Sequence, residues 1–145
     1  MKHRSGDRQR FTFSKEERLC QRRAFDYLFE HGSSVRADVL KIFFAFDCPD
    51  EWSSAPLAIA LAVPKRSFKR AVDRNLLKRR LREAFRLNKS LLLTPLVDQE
   101  HRAILLIKYL PNKRCSFDQI EQALCKGLRQ VERRIPPRPP MPPTT

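Results

Sequence analysis

Apolar residues recur along this chain with two different periods, and these periods predict its first helix and first strands. Residues 21–31 carry four apolar side chains at helical spacing and are followed by Gly32, which predicts a helix that ends there. Residues 39–47 alternate between large apolar side chains and a second, mixed face, which predicts a strand with one buried face. Residues 57–63 alternate large apolar residues with alanine until Pro64, so they predict a second strand whose alanine face permits close approach by another group.

The second half of the chain predicts two further helices and one further strand. Residues 68–88 contain neither glycine nor proline and have apolar residues at helical spacing, so they predict a long helix. A proline-containing connection over residues 90–102 leads to the nearly continuous apolar run of residues 103–110, which is typical of a strand covered on both faces. Ser116 and Gln119 have capping-box spacing and open a last helix with its own apolar stripe.

The predicted element order is helix, strand, strand, helix, strand, helix. A crossover helix between two strands implies that they pair in parallel, so the pattern predicts an α/β fold, an α+β sandwich around one sheet. The polar and basic residues 1–10 predict a flexible arm, and residues 11–135 a single domain. Residues 136–145 predict an extended, disordered, proline-rich tail.

Charge is concentrated in the long helix and the turn before it. The chain has 30 Lys and Arg against 16 Asp and Glu, and residues 65–89 carry eleven basic and two acidic side chains. Such a local excess repels itself unless phosphates or counterions neutralise it, so it favours a polyanionic partner. Nucleic acid is the leading class, an anionic membrane surface is the main competitor, and a merely solvated face is the simplest alternative.

Helical geometry separates the long helix into a cationic arc and a core face. With Arg74 at 0° and about 100° per residue, the cationic arc spans roughly 140°. Its members are Arg74, Lys78, Arg82, Asn75, Arg86 and Arg79. The rest of the circumference is predicted to be core, and it holds Leu76, Leu87, Ala84, Leu77, Leu81 and Phe85.

Other function classes find little support in the residues. No apolar run is long enough to span a bilayer and no apolar signal region follows the N-terminus, so we expect a cytoplasmic protein. The four cysteines and three histidines lack metal-site spacing. Asp73 and Glu83 lie about 280° apart around the helix and cannot share a metal ion, so we expect neither a protein-bound metal nor protein-borne nuclease chemistry.

The segment from Val63 to Phe85 resembles the bacterial ribonuclease P protein component. The matching positions are Val63, Lys65, Arg66, Arg74, Asn75, Lys78, Arg79, Arg82, Glu83 and Phe85, with Phe25, Phe29, His31 and Gly32 upstream. The resemblance covers residues 19–132. One departure is Leu76, which stands where the family has the second arginine of its Arg-Asn-Arg motif, so any contact of that arginine is absent or transferred to Arg70, Arg79 or Arg80.

The resemblance implies a protein subunit of ribonuclease P, the ribonucleoprotein endonuclease that removes the 5′ leader from precursor tRNA. It implies that the RNA subunit is catalytic and holds the Mg²⁺ ions, and that the crossover is left-handed. Contacts to the RNA subunit are expected from Arg66, Lys69, Arg70, Arg74, Asn75, Lys78, Arg79 and Arg82. Contacts to the leader are expected from Phe25, Phe29, Phe43 and Lys65.

Two alternatives stay open at the level of sequence. Phe25 and Phe29 lie four residues apart on one helical face and could be core residues, whereas Phe43 lies beside Lys41 on the less apolar strand face and suits stacking on a base. The protein could also be a stand-alone RNA-binding or ribosome-associated protein that uses the same basic helix without a cleavage role.

Overall fold

A computed structural model describes residue 18 and residues 22–48 and 55–137. Within these ranges the elements are α1 (Arg22–His31), β1 (Ser33–Ala37), β2 (Leu40–Phe46), β3 (Leu57–Ala62), α2 (Ala71–Asn88), α3 (Ser90–Asp98), β4 (Ala103–Tyr109) and α4 (Phe117–Glu132). The predicted strands and the first and last helices therefore exist where the apolar periods place them. Ser116 accepts a hydrogen bond from the Gln119 backbone N–H, and the predicted capping box is confirmed.

The four strands form one mixed sheet in the order β1-β2-β4-β3. β1 and β2 are antiparallel, as are β2 and β4, whereas β3 and β4 are parallel. The connection between the parallel strands runs through α2 and α3. The predicted α/β fold with a crossover between parallel strands is confirmed, and the left-handedness of that crossover stays a prediction.

Helices cover both faces of the sheet. Leu40, Ile42 and Phe44 point toward the large core that α2, α3 and α4 complete. On the opposite face, Ala45 packs with Ala24 and Leu28 of α1 in a smaller core. The prediction that β2 has only one buried face is therefore wrong, because α1 covers the other face at one end of the strand. The alanine face of β3 permits the predicted close approach by another group, since Ala58 is buried in the smaller core beside α1.

Gly127 sets how closely α4 approaches the sheet. A Cβ atom at this position would collide with the Cδ1 atom of Ile42 on β2. The absent side chain therefore lets the helix backbone lie directly on the strand, at the usual cost of glycine within a helix.

Sequence reasoning missed two elements. β1 is short, and only Val35 and Ala37 of its five residues are buried, so its apolar alternation is weak. α3 contains Pro95, and because of this proline its segment was predicted to be a connection and not a helix. Leu92 and Leu96 lie one turn apart and are fully buried, so packing outweighs the hydrogen bond that the proline removes.

The predicted ends of the chain lie largely outside the described residues. The basic arm of residues 1–10 and most of the tail of residues 136–145 fall there, so both stay predictions together with the limits of the domain. The long helix begins at Ala71, three residues later than predicted, because residues 64–70 form a separate turn.

Candidate RNA interface

The turn before α2, residues 64–70, is fixed by backbone hydrogen bonds and one buried aromatic residue, while its basic side chains are exposed to solvent. The backbone N–H groups of Ser67 and Phe68 donate to the Pro64 carbonyl oxygen at 3.2 and 3.3 Å. Phe68 is buried, and its ring lies 5.8 Å from that of Tyr109, centroid to centroid. The burial of one aromatic residue therefore fixes a turn whose exposed cations are Lys65, Arg66, Lys69 and Arg70.

Arg74 joins this turn to α2. Its Nη1 atom donates to the carbonyl oxygens of Phe68 at 2.7 Å and Lys69 at 3.0 Å, and the side chain is half-buried. α2 has no side-chain cap at Arg70, so these bonds add a tie between the turn and the first helical turns. The structure therefore places Arg74, predicted as an RNA contact, where it also positions the turn.

The buried and exposed faces of α2 nearly match those predicted from helical geometry. Leu77, Leu81, Ala84 and Phe85 are fully buried, and Asn75, Arg79 and Arg82 are exposed with Lys78 half-buried. The core face is narrower than predicted, since Leu87 is 38% exposed and Leu76 is only half-buried.

Both acidic side chains of the basic segment are paired with arginine. Asp73 Oδ1 lies 3.6 Å from Arg114 Nη1, and Glu83 forms a two-bond ion pair with Arg86 one turn along α2. The hydrogen bond from Arg86 lowers the pKa of Glu83. Arg86 belongs to the predicted arc, but its charge is partly neutralised here, so the effective cationic face is shorter than the wheel implies.

The remaining cations of the predicted RNA-subunit set are available to a partner. Among the described residues, no ion pair or hydrogen bond involves the side chains of this set: Arg66, Lys69, Arg70, Lys78, Arg79 and Arg82. Arg80, one of three candidates to replace the family arginine at Leu76, instead donates from Nη1 to the Cys115 carbonyl oxygen. Arg70 and Arg79 are exposed and remain candidates for that contact.

A cleft of about 490 Å³ lies along the β3 edge of the sheet. Its walls are Arg18, Phe25, Ile59, Ala60, Leu61, Lys78 and Arg82. An aromatic residue from the predicted leader set thus shares a cleft with two cations from the predicted RNA-subunit set. The two predicted surfaces meet at this edge.

Phe29 and Phe43 form a second aromatic group on the α1 side of the sheet. Their ring centroids are 5.4 Å apart in an edge-to-face arrangement, and Phe29 is 60% exposed. Lys41 Nζ lies 5.1 Å from the Phe43 ring centroid. The core alternative for Phe25 and Phe29 is therefore wrong for Phe29, whereas it holds in part for Phe25, which is half-buried against the smaller core and also lines the cleft.

Some members of the site lie apart from one another or were missed. Lys65 is exposed in the turn after β3. Arg18 lines the cleft and forms an isolated parallel bridge with Ile59, a placement that no pattern in its basic surroundings predicted. The position of Lys41 beside Phe43 did follow from strand alternation, and that signal could have added Lys41 to the site.

Metal-site and membrane chemistry find no support in the described part of the chain. No group of three His, Cys, Asp or Glu residues within it could hold a metal ion. Among the same residues, no helix combines the length and apolar character needed to span a membrane.

A cationic helix and turn thus lie beside a cleft with an aromatic wall, and comparison with known proteins identifies the family of the chain. The model of the family described as Ribonuclease P matches residues 13–132. The chain belongs to the ribonuclease P protein family. The sequence-based recognition of that family is confirmed.

Individual relatives agree with the family assignment. The chain is 31% identical over 126 residues to the ribonuclease P protein component of Porphyromonas gingivalis, covering 87% of this chain and 90% of that protein. The fold is similar to that of the RNase P protein of Thermotoga maritima, with a TM-score of 0.62 and 24% identity over 80% of this chain and 98% of that one. The Staphylococcus aureus RNase P protein gives a TM-score of 0.62 and 22% identity over 80% and 95%.

The family supplies the protein component of an endonucleolytic ribonucleoprotein that processes tRNA. The predicted function as a ribonuclease P protein subunit is confirmed at this level, and the stand-alone RNA-binding alternative is not favoured. An RNA partner follows from the family.

Proposed function

We propose that this chain binds the catalytic RNA subunit of ribonuclease P through the turn of residues 64–70 and the exposed face of α2. The proposal is supported by a set of cations that form no ion pair among the described residues and that project from a well-packed turn and helix. Arg66, Lys69 and Arg70 project from a turn fixed by Phe68, and Arg79 projects from a helix that is anchored in the core by fully buried Leu77, Leu81, Ala84 and Phe85. Neutralising phosphates with such clustered cations releases counterions and favours RNA binding.

Asn75 complements these charges. Its amide is exposed on the same helix, within the cationic arc, and offers both a donor and an acceptor. We infer that it bonds a base edge or ribose of the RNA subunit, because a neutral amide adds a directional hydrogen bond where arginine adds charge.

The single-stranded 5′ leader of precursor tRNA is the proposed ligand of the aromatic surfaces. Phe25 lines the cleft at the β3 edge, whereas Phe29 and Phe43 offer a partly exposed ring pair, and Lys65 adds positive charge in the turn after β3. Aromatic faces flanked by cations bind single strands without demanding a particular sequence. Lys78 and Arg82 are proposed to lie between the two RNAs, because they belong to α2 and also line the cleft.

Mg²⁺ is assigned to the RNA in this proposal. The described residues lack a cluster of ligands that fits a protein-bound ion. The contribution of the protein is then electrostatic: its cations reduce repulsion between the RNA subunit and the precursor and hold the leader in place. We infer a cytoplasmic location from this role in tRNA processing.

Separate variants test the two proposed surfaces. Changing Arg70 and Arg79 to Gln should weaken binding to the RNA subunit and reduce the slope of log affinity against log salt by about 1 for each phosphate that is no longer neutralised. Phe29→Ala should leave that affinity unchanged and lower the affinity of the reconstituted enzyme for leader-bearing tRNA, but not for leaderless tRNA, by the roughly 1–3 kcal/mol typical of stacking. Equal effects of both variants on both ligands would overturn the division into two surfaces.

A further inference from the structure

Three cations lie side by side across the sheet on the face that carries α1. Arg36 of β1 is directly opposite Lys41 of β2, and Lys41 is directly opposite Lys108 of β4. The flanking residues on each strand belong to the opposite core, as Ile107 and Tyr109 do around Lys108, so the three cations share the α1 face. We call Arg36, Lys41 and Lys108 the cationic row.

This row is an unfavourable arrangement for the protein alone. Like charges directly opposite each other on neighbouring strands destabilise a sheet. Within the described ranges no carboxylate pairs with any of the three side chains. The arrangement is therefore expected where an anion supplies the missing negative charge.

The next cross-strand pair on the same face indicates which kind of anion fits. One step along the same face, Phe43 of β2 lies opposite Leu106 of β4, and Phe29 of α1 packs edge-on against Phe43. An aromatic pair beside cations is suited to a nucleic acid whose bases are unpaired, because base faces can then stack while phosphates meet the charges. A double helix would offer the phosphates without the base faces.

The dimensions also agree with a short single strand. Neighbouring strands lie about 4.8 Å apart, so the row from Arg36 to Lys108 spans about 10 Å of backbone. Stacked nucleotides advance about 3.4 Å each along a strand, so the row spans about three nucleotide steps.

We propose that the cationic row binds the phosphate backbone of the single-stranded RNA whose bases lie on Phe29 and Phe43. The strand then crosses β4, β2 and β1 on the face of the sheet that carries α1. Naming this strand as the precursor leader rests on the proposed function, whereas its binding by the row rests on the register and the charges.

The first test uses the full-length chain and a labelled single-stranded RNA oligonucleotide. The triple variant R36Q/K41Q/K108Q should bind it roughly 10- to 100-fold more weakly near 0.1 M salt, and the salt slope should fall by about 2. Its melting temperature should equal or exceed that of the original chain, because like-charge repulsion is removed. A matched control, R129Q/R133Q/R134Q, removes three exposed charges at and just beyond the end of α4 and should change affinity and slope far less.

A loss of affinity no larger than that of the control would overturn the proposal, as would a lower melting temperature that accounts for the loss. The reconstituted enzyme shows which RNA supplies the single strand. The triple variant should bind leader-bearing tRNA more weakly, while its affinities for leaderless tRNA and for the RNA subunit stay unchanged. Weaker binding of the RNA subunit instead would show that the row serves that RNA and overturn the leader assignment. If the original chain fails to stimulate cleavage yet binds the oligonucleotide through the row, the proposed function fails and this inference stands.

Discussion

Arg74→Lys separates the two roles that Arg74 could play. Lysine keeps the charge but cannot reproduce the guanidinium geometry that reaches the carbonyl oxygens of Phe68 and Lys69 at 2.7 and 3.0 Å. Hydrogen bonds involving a charged group contribute about 1.5–3 kcal/mol, and Arg74 is only half-buried, so we expect a decrease of about 1–2 kcal/mol in the free energy of unfolding. The melting temperature should fall by roughly 2–8 °C.

Urea unfolding followed by circular dichroism measures this change. Arg79→Lys is the matched control, because Arg79 is exposed on the same helix and should shift the free energy of unfolding by less than about 0.5 kcal/mol. RNA-subunit affinity should fall in the Arg74 variant because the turn carrying Lys69 and Arg70 becomes less ordered. An unchanged unfolding midpoint together with weakened RNA binding would refute the positioning role and make Arg74 a direct RNA ligand only.

Three further predictions concern other parts of the molecule. Gly127→Ala should lower the free energy of unfolding, measured in urea, by about 1–2 kcal/mol, because the Cδ1 atom of Ile42 would have to move within a fully buried core and this cost outweighs the gain in helix propensity; equal or greater stability would contradict this packing. Burial raises the pKa of the Cys48 thiol to about 11, so iodoacetamide labelling of Cys48, followed by peptide mass spectrometry, should be slow at pH 8 and accelerate toward pH 11 as the thiolate forms; rapid labelling at pH 8 would contradict it. Glu83→Gln should remove the ion pair with Arg86 and one negative charge beside the cationic arc, and so tighten RNA-subunit binding with a salt slope steeper by up to about 1; unchanged binding would show that this part of α2 faces no phosphate.

The fold was predictable where burial repeats with a clear period. β2, β3 and β4 alternate or run continuously apolar, and α2 has a long uninterrupted pattern, so each appeared near its predicted place. β1 and α3 were missed because tertiary contacts stabilise them against weak or contrary local signals. Val35 supplies little pattern by itself, and Pro95 argues against the helix that buried Leu92 and Leu96 favour.

The candidate site was likewise predictable from local sequence patterns in part and dependent on tertiary contacts for the rest. Clustered charge identified α2 and its preceding turn, but sequence could not show that Arg86 is paired with Glu83 or that Arg80 bonds the Cys115 carbonyl. The cationic row was likewise invisible, because Arg36, Lys41 and Lys108 become neighbours only through strand register. Local patterns reveal which residues share a helix face, whereas contacts between distant segments require the folded sheet.

Reconstitution tests the central claim most directly. The chain would be combined with a bacterial ribonuclease P RNA at low Mg²⁺, and removal of the 5′ leader from precursor tRNA would be measured against the RNA alone. The account predicts a clear increase in the rate of leader removal, reduced when Arg70 and Arg79 are changed to Gln. Leader removal at the same rate with and without the protein would contradict it.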